Sequence, residues 1–336
     1  MNDAMAVRLQ GRSLLSMTDW TPEEWAYTLD LAARLKRQRR EGRLSRRLLA
    51  GRQIALIFEK SSTRTRCAFV AACAEEGATA EYLGVGDIHL GRKESVRDTA
   101  RVLGRFFHGI AFRGFQQATV EELARWAGVP VWNALTDQWH PTQVLADLLT
   151  IREHFGRLEG LRFCYVGDGR NNVANSLMIG CARFGMHVVN VTPPELSPSP
   201  EVVAEARVQA RNGGSVAVEH DPRKGVAGAN VIYTDVWVSM GEEAQFEERL
   251  RLLRPYQVNA GLLAATGRKR PEELLFLHCL PAYHDHRTEV TAETGALEVT
   301  DDVFEGPFSR VFDQAENRMH TIRAMLVATL TGGDCS

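Results

Sequence analysis

Two successive series of short apolar strands and amphipathic helices predict an α/β chain of two doubly wound domains, each a parallel sheet flanked by helices. The alternation itself is the first reason, because parallel strands need helical crossovers that cover both sheet faces. Length is the second: 336 residues exceed one ordinary core and suit two domains of about 150 residues each. Punctuation is the third, since Gly156-Arg157-Leu158-Glu159-Gly160 interrupts the alternation and marks the boundary. The first domain covers residues 1–155 and the second 156–313, with a terminal helix over 314–332 returning to complete the first.

In the first domain, residues 53–59 read as a strand, 63–76 as a helix and 79–83 as extended. Residues 95–107 are helical, 110–112 extended, 120–127 helical and 131–132 a short strand. A helix over 141–155 follows, with Pro141 suited to its first turn. The second domain repeats the pattern with a strand over 162–166, a helix over 171–184 and a strand over 187–191. The Pro193-Pro194 and Ser197-Pro198-Ser199-Pro200 cluster forms a loop before a helix at 201–211. Strands at 216–218 and 231–234, a charged helix at 242–253 and a strand at 275–278 complete it. In the tail, Ile322, Met325, Leu326 and Leu330 share one helical side.

Composition excludes several partners. Forty Lys and Arg against 42 Asp and Glu give a net charge of −2, so no nucleic acid is expected and any phosphate binding is local. No apolar run approaches a membrane span, and no basic leader precedes an apolar stretch. Cys67, Cys73, Cys164, Cys181, Cys279 and Cys335 show no C-x-x-C pair, which reads as reduced thiols in the cytoplasm.

The most informative segment is Ser61-Ser62-Thr63-Arg64-Thr65-Arg66, between a strand and a helix. Backbone N–H groups at a helix start are unpaired and partly positive, the hydroxyls add neutral donors, and Arg64 adds a fork that fits phosphate oxygens. A capped helix with a solvated basic turn is the bland alternative. It is disfavoured because cations at a helix N-terminus oppose the macrodipole unless an anion sits there. Other polar residues fall just past strand ends, where open α/β sheets place ligands: Arg113, His140-Pro141-Thr142-Gln143, Asp235 and His278-Cys279-Leu280-Pro281. Each has a plain alternative. His140 can cap a helix, Asp235 can form a turn, and Cys279 can be a small buried hydrophobe. Gly167-Asp168-Gly169-Arg170-Asn171-Asn172 lacks the third glycine of a dinucleotide fingerprint. His278, Cys279, His284, Asp285 and His286 match no standard zinc spacing and read as a loop with surface histidines.

Taken together, Ser62-Thr63-Arg64-Thr65-Arg66, Phe112-Arg113-Gly114 and His140-Pro141-Thr142-Gln143 resemble the aspartate/ornithine carbamoyltransferase superfamily. Asp235-Val236-Trp237-Val238-Ser239-Met240-Gly241, His278-Cys279-Leu280-Pro281 and Ala315-Glu316-Asn317-Arg318 narrow the resemblance to the ornithine branch, over nearly the whole chain. The resemblance implies an enzyme that moves a carbamoyl group from carbamoyl phosphate to the δ-amine of L-ornithine, with no metal and no organic cofactor. It implies that Ser62, Thr63, Arg64 and Thr65 grip the phosphate, while Arg113, His140 and Gln143, from the His140-Pro141-Thr142-Gln143 turn, polarise the carbonyl. Arg318 adds charge near the same oxygens. Asn172, Asp235 and Ser239 hold the ornithine α-groups, Met240 walls its stem, and Cys279 with the Leu280 backbone faces the δ-amine and carbamoyl group. A homotrimer is implied as well, because the loop holding His89 reaches a neighbouring subunit's site in the family. Here His89 stands where many bacterial relatives have glutamine, and the segment after His286 is shorter than in many of them.

Overall fold

In the computed structural model, which describes residues 7–43, 47–91, 93–238 and 245–331, every named strand pairs in parallel. The chain divides into two units, Met1–Leu149 with Glu316–Ser336 and Thr150–Ala315. The division falls inside the Pro141–Phe155 helix, not at Gly156–Gly160. Gly156 ends that helix in a left-handed conformation (φ 72°), so the glycines stop the helix, whereas the change of packing partners precedes them.

The first unit holds a four-stranded sheet of β1 (Gln53–Phe58), β2 (Thr79–Gly84), β3 (Gly109–Arg113) and β4 (Val131–Leu135), in the order β2-β1-β3-β4. Alternate residues of the central strands, Ala55, Ile57, Ile110 and Phe112, pack with Ala100, Leu103, Val120 and Leu123 of helices Val96–Phe106 and Gln117–Ala127. The second unit holds β5 (Arg162–Val166), β6 (His187–Val191), β7 (Ser215–Glu219), β8 (Val231–Thr234) and β9 (Leu275–His278), in the order β7-β6-β5-β8-β9. In both sheets the order reverses at an inner strand, the signature of a doubly wound sheet. Cys164, Val166, Val189, Ile232 and Phe276 form the core on one of its faces.

Helices Thr63–Glu76 and Pro141–Phe155 and strands β5, β6, β8 and β9 begin and end where the sequence pattern places them. The Pro22–Arg40 helix was not among the expected elements, although Thr21 and Glu24 form a capping box at its start. The charged helix at 242–253 is seen as Phe246–Leu253 with Gln245 as its N-cap; residues 242–244 lie outside the described ones. The terminal helix, Val311–Thr331, packs against the rest of the first unit through its later part. There Arg323 bonds Glu76 at 2.5 Å and Glu75 at 2.8 Å, Asn317 accepts from Lys36 at 2.6 Å, and Thr329 accepts from the Trp132 indole at 3.2 Å.

Candidate active site

Ser62 has extended backbone (φ −162°) and caps the Thr63–Glu76 helix, its Oγ accepting from the Thr65 N–H at 3.1 Å. The first turn holds Arg64 and Arg66 and no acid, so two guanidinium groups add to the positive helix end. Arg66 stacks over the Tyr82 ring at 3.7 Å; Arg64 is half-buried at the turn itself. The second helix start, His140-Pro141-Thr142-Gln143, is buried and also lacks a first-turn acid.

Arg318 ties these two helix starts together from the terminal helix. It is 5% exposed and donates to Thr65 Oγ1 at 2.9 Å, Thr142 Oγ1 at 3.5 Å, His140 Nε2 at 3.2 Å and Gln143 Oε1. Gln143 passes the order inward, donating to Asp147 Oδ1 at 2.8 Å one turn along its helix. Arg113 closes β3, where the pairing with β4 shifts register between Phe112 and Arg113, a bulge that re-aims the side chain after it. The next residue must be glycine: a Cβ on Gly114 would meet Glu59 Oε2 at 2.2 Å and the Phe112 ring at 2.3 Å. His89 is exposed on the turn after β2. A cavity of about 230 Å³ runs beneath that turn, between Phe58, Glu59, Ile88 and Leu90.

His140 is held neutral. Burial pushes its pKa well below the usual histidine range, and the Arg318 and Arg113 guanidinium groups push it further down. Because a guanidinium only donates, Nε2 is the acceptor and the ring proton sits on Nδ1. The linkage sign follows: a histidine whose folded pKa is lowered opposes folding once pH drops below its unfolded value of about 6.5. Stability should therefore be fully present above that value and fall as pH descends toward the folded pKa. Urea midpoints from pH 8 to pH 5 should drop more steeply for the native protein than for His140→Gln; parallel slopes would contradict the assignment.

In the second unit, Asp235 sits just past β8 and is 8% exposed. Its Oδ1 accepts from the Val236 N–H at 2.8 Å and the Cys279 thiol at 2.9 Å, and its Oδ2 from the Asn171 amide at 2.9 Å. Asn171 also caps the Asn172–Arg183 helix, its Oδ1 accepting from Ala174 N–H at 2.8 Å. Asn172 is half-buried at the first position of that helix. Ser239 and Met240 lie outside the described residues. Cys279 and Leu280 follow β9, with Leu280 in the left-handed region (φ 59°) and the Leu280–Pro281 peptide cis.

One expectation is corrected here. His278 is not a surface histidine but is wholly buried, because as the last residue of β9 it turns into the unit with its ring against Glu298. His284 is half-buried, stacked on Phe304 at 3.8 Å and paired with Asp301 at 2.7 Å. Gly169 serves packing: a Cβ there would meet Asn190 Oδ1 at 2.7 Å and the Leu196 carbonyl at 2.9 Å.

Sequence reasoning passed over Asn171, Asp147 and Glu298. Asn171 carried an N-cap signal, and Asp147 lies at helical i+4 from Gln143, so both were findable. Glu298 carried none, since its partners come from a distant strand.

Comparison with known families decides the reading. Residues 12–153 match the profile described as "Aspartate/ornithine carbamoyltransferase, carbamoyl-P binding domain", and residues 159–329 match its "Asp/Orn binding domain". The chain belongs to the aspartate/ornithine carbamoyltransferase family. Among related carbamoyltransferases, "Ornithine carbamoyltransferase, catabolic" of Bacillus thuringiensis subsp. konkukian is 57% identical over 328 residues, covering 96% of this chain and 97% of that protein. "Ornithine carbamoyltransferase" of Caldanaerobacter subterraneus subsp. tengcongensis is 55% identical over 327 residues, covering 97% and 100%. The solved ornithine carbamoyltransferase from Pyrococcus furiosus has a TM-score of 0.89 at 45% identity, covering 97% of this chain and 98% of its own. Two parallel-sheet domains flanked by helices are thus the carbamoyltransferase fold, and the expected fold class holds.

Proposed function

We propose that this carbamoyltransferase moves the carbamoyl group of carbamoyl phosphate onto the δ-amine of L-ornithine, giving L-citrulline and phosphate. The observation that carries the reading is Arg318, one buried guanidinium that engages Thr65, His140, Thr142 and Gln143 and so gathers two acid-free helix starts around one point. Such a point attracts a dianion. Ser62, Thr63, Arg64 and Thr65 take the phosphate. Thr65 Oγ1 already accepts from Arg318, so its own proton is available for a phosphate oxygen. Arg113, neutral His140 through its Nδ1–H, and Gln143 with Pro141 and Thr142 behind it polarise the carbonyl and stabilise the oxyanion of the tetrahedral intermediate. Carbamoyl phosphate is already activated, so the amine displaces phosphate directly.

For the acceptor, the high identity to proteins named ornithine carbamoyltransferase supports ornithine. Asp235, fixed by three donors, suits the α-ammonium; Asn172 donates to the α-carboxylate. Ser239 is assigned to the same α-groups and Met240 to the aliphatic stem, and Cys279 with the Leu280 backbone faces the δ-amine. That amine, with an ordinary pKa of about 10, attacks only when neutral. The reaction is reversible and belongs to arginine metabolism. Among the described residues no helix is long and apolar enough to cross a membrane, and scattered cysteines without a C-x-x-C pair support a reducing cytoplasm.

The test is citrulline formation from carbamoyl phosphate with ornithine, putrescine, acetylornithine and aspartate compared side by side. Ornithine should exceed each of the others by at least a hundredfold in kcat/KM; comparable rates with putrescine would overturn the acceptor assignment. A homotrimer with His89 reaching its neighbour's phosphate site is part of the same proposal. Mixing His89→Ala with Arg113→Ala subunits should then regenerate some intact sites, and verified mixed trimers without recovered activity would count against it.

A further inference from the structure

Gln143 is held at both ends of its side-chain amide. Its Oε1 accepts from the Arg318 guanidinium, and its Nε2 donates to Asp147 Oδ1 at 2.8 Å. A guanidinium only donates and an ionised carboxylate only accepts, so the amide has one orientation. Flipped over, it would set N–H against guanidinium and oxygen against carboxylate. The fixed orientation leaves one N–H and one oxygen lone pair for whatever enters the site. Gln143 is 2% exposed and Asp147 is fully buried.

Asp147 is costly where it stands. A buried carboxylate gives up its hydration, and a hydrogen bond from a neutral amide at i,i+4 returns only part of that. An apolar side chain would suit this stretch of the Pro141–Phe155 helix, where Val144, Leu145, Leu148 and Ile151 are all buried. The depth of Asp147 in the helix is informative as well. An acid in the first turn would oppose an anion arriving at the helix start. Asp147 stands one turn beyond Gln143, about 6 Å further along the axis, so it can hold the amide without occupying the anion's end of the helix. We infer that Asp147 is a positioning residue for the transfer: it locks the Gln143 amide against Arg318, so that the second amide N–H is kept for the carbonyl oxygen before substrate arrives. The inference rests on the proposed carbamoyl transfer and on the part Gln143 plays in it. Asp147 acts only through Gln143, and a donor fixed in advance needs no reorganisation at the moment of reaction.

A double-mutant cycle tests it. Gln143→Met removes the amide, and Asp147→Leu removes its anchor. In folded protein each should lower kcat tenfold or more, since misplacing a reacting group by about 1 Å costs on the order of a hundredfold. Because one residue acts through the other, the double variant should turn over within threefold of Gln143→Met alone. Losses that multiply would give Asp147 a merely structural part and overturn the inference. Asp147→Asn returns an acceptor to the amide and should recover kcat to within threefold of native; no recovery would reject the lock. Inorganic phosphate should bind Asp147→Leu at least as tightly as native protein, because a nearby negative charge is gone. Weaker binding would mean that the site has collapsed and would count against positioning. Should Asp147→Leu not fold, hydrogen exchange in 15N-labelled native protein decides. The Gln143 side-chain amide, assigned by its absence from spectra of Gln143→Met, should exchange slowly, and rapid exchange rejects the role. Native protein that forms no citrulline would instead refute the function on which the inference depends.

Discussion

Arg318→Met should lower citrulline formation by about a hundred- to a thousandfold, the usual cost of removing one preorganised donor from an oxyanion site. The loss has two parts. In the proposed site the guanidinium supplies positive charge to the phosphate and carbonyl oxygens, and in a buried setting that charge is worth far more than in water. Its removal also leaves acceptors on Thr65, Thr142, His140 and Gln143 without the donor they share. Unmet buried acceptors cost roughly 1–3 kcal/mol each, so stability should fall as well. Steady-state kinetics with saturating ornithine, alongside urea unfolding, separate the two. A folded variant with near-native turnover would remove Arg318 from the proposed machinery. His140 adds a second signature. Burial and Arg113 still hold its pKa down in the variant, but without the Arg318 guanidinium it should rise, and the pH dependence of stability should flatten in part.

Asp235→Asn should cost more than a hundredfold in kcat/KM for ornithine and erase most of the preference over putrescine. The carboxylate is held by the Val236 N–H, the Cys279 thiol and the Asn171 amide, so its charge is fixed in place before substrate arrives. Breaking a buried charge pair by removing one partner costs on the order of 3 kcal/mol or more, above a hundredfold in affinity. Putrescine has no α-ammonium to pair, so its poor rate should change little. Measured kcat/KM for both amines, native against variant, checks this. A variant that still discriminates as well as the native enzyme would show that Asp235 is a turn former after all.

Much of this was legible in the sequence, and for a physical reason. Strand and helix periods are local properties, so the helices Thr63–Glu76 and Pro141–Phe155 and the strand Arg162–Val166 can be read from their own residues. So can an anion-seeking turn, because basic residues at a capped helix start conflict with the macrodipole within a few residues of sequence. The Pro22–Arg40 helix escaped notice because its basic last turn, with Arg37, Arg39 and Arg40, blurs an apolar stripe built on Trp25, Leu29, Ala32 and Leu35. Asn171 was masked by its neighbour, since both asparagines of the pair have the same chemistry and only the backbone decides which one caps the helix and meets Asp235. The close approach of Glu298 to His278 was out of reach altogether. No spacing rule joins a carboxylate before the final helix to a ring at the end of β9; only the folded path of the chain does.

The placement of Arg318 has a consequence for how this protein comes into being. Its partner Thr65 stands 253 residues earlier in the chain, and the entire second unit is translated between them. At about 5–20 residues per second, the phosphate-seeking turn waits on the ribosome for ten seconds or more as an unfinished pocket. A truncated product that ends before Arg318 has both sheets and most of both cores, yet its anion site lacks the guanidinium that gathers the two helix starts. On the proposed function, such a partial chain should bind carbamoyl phosphate more weakly than the full-length protein.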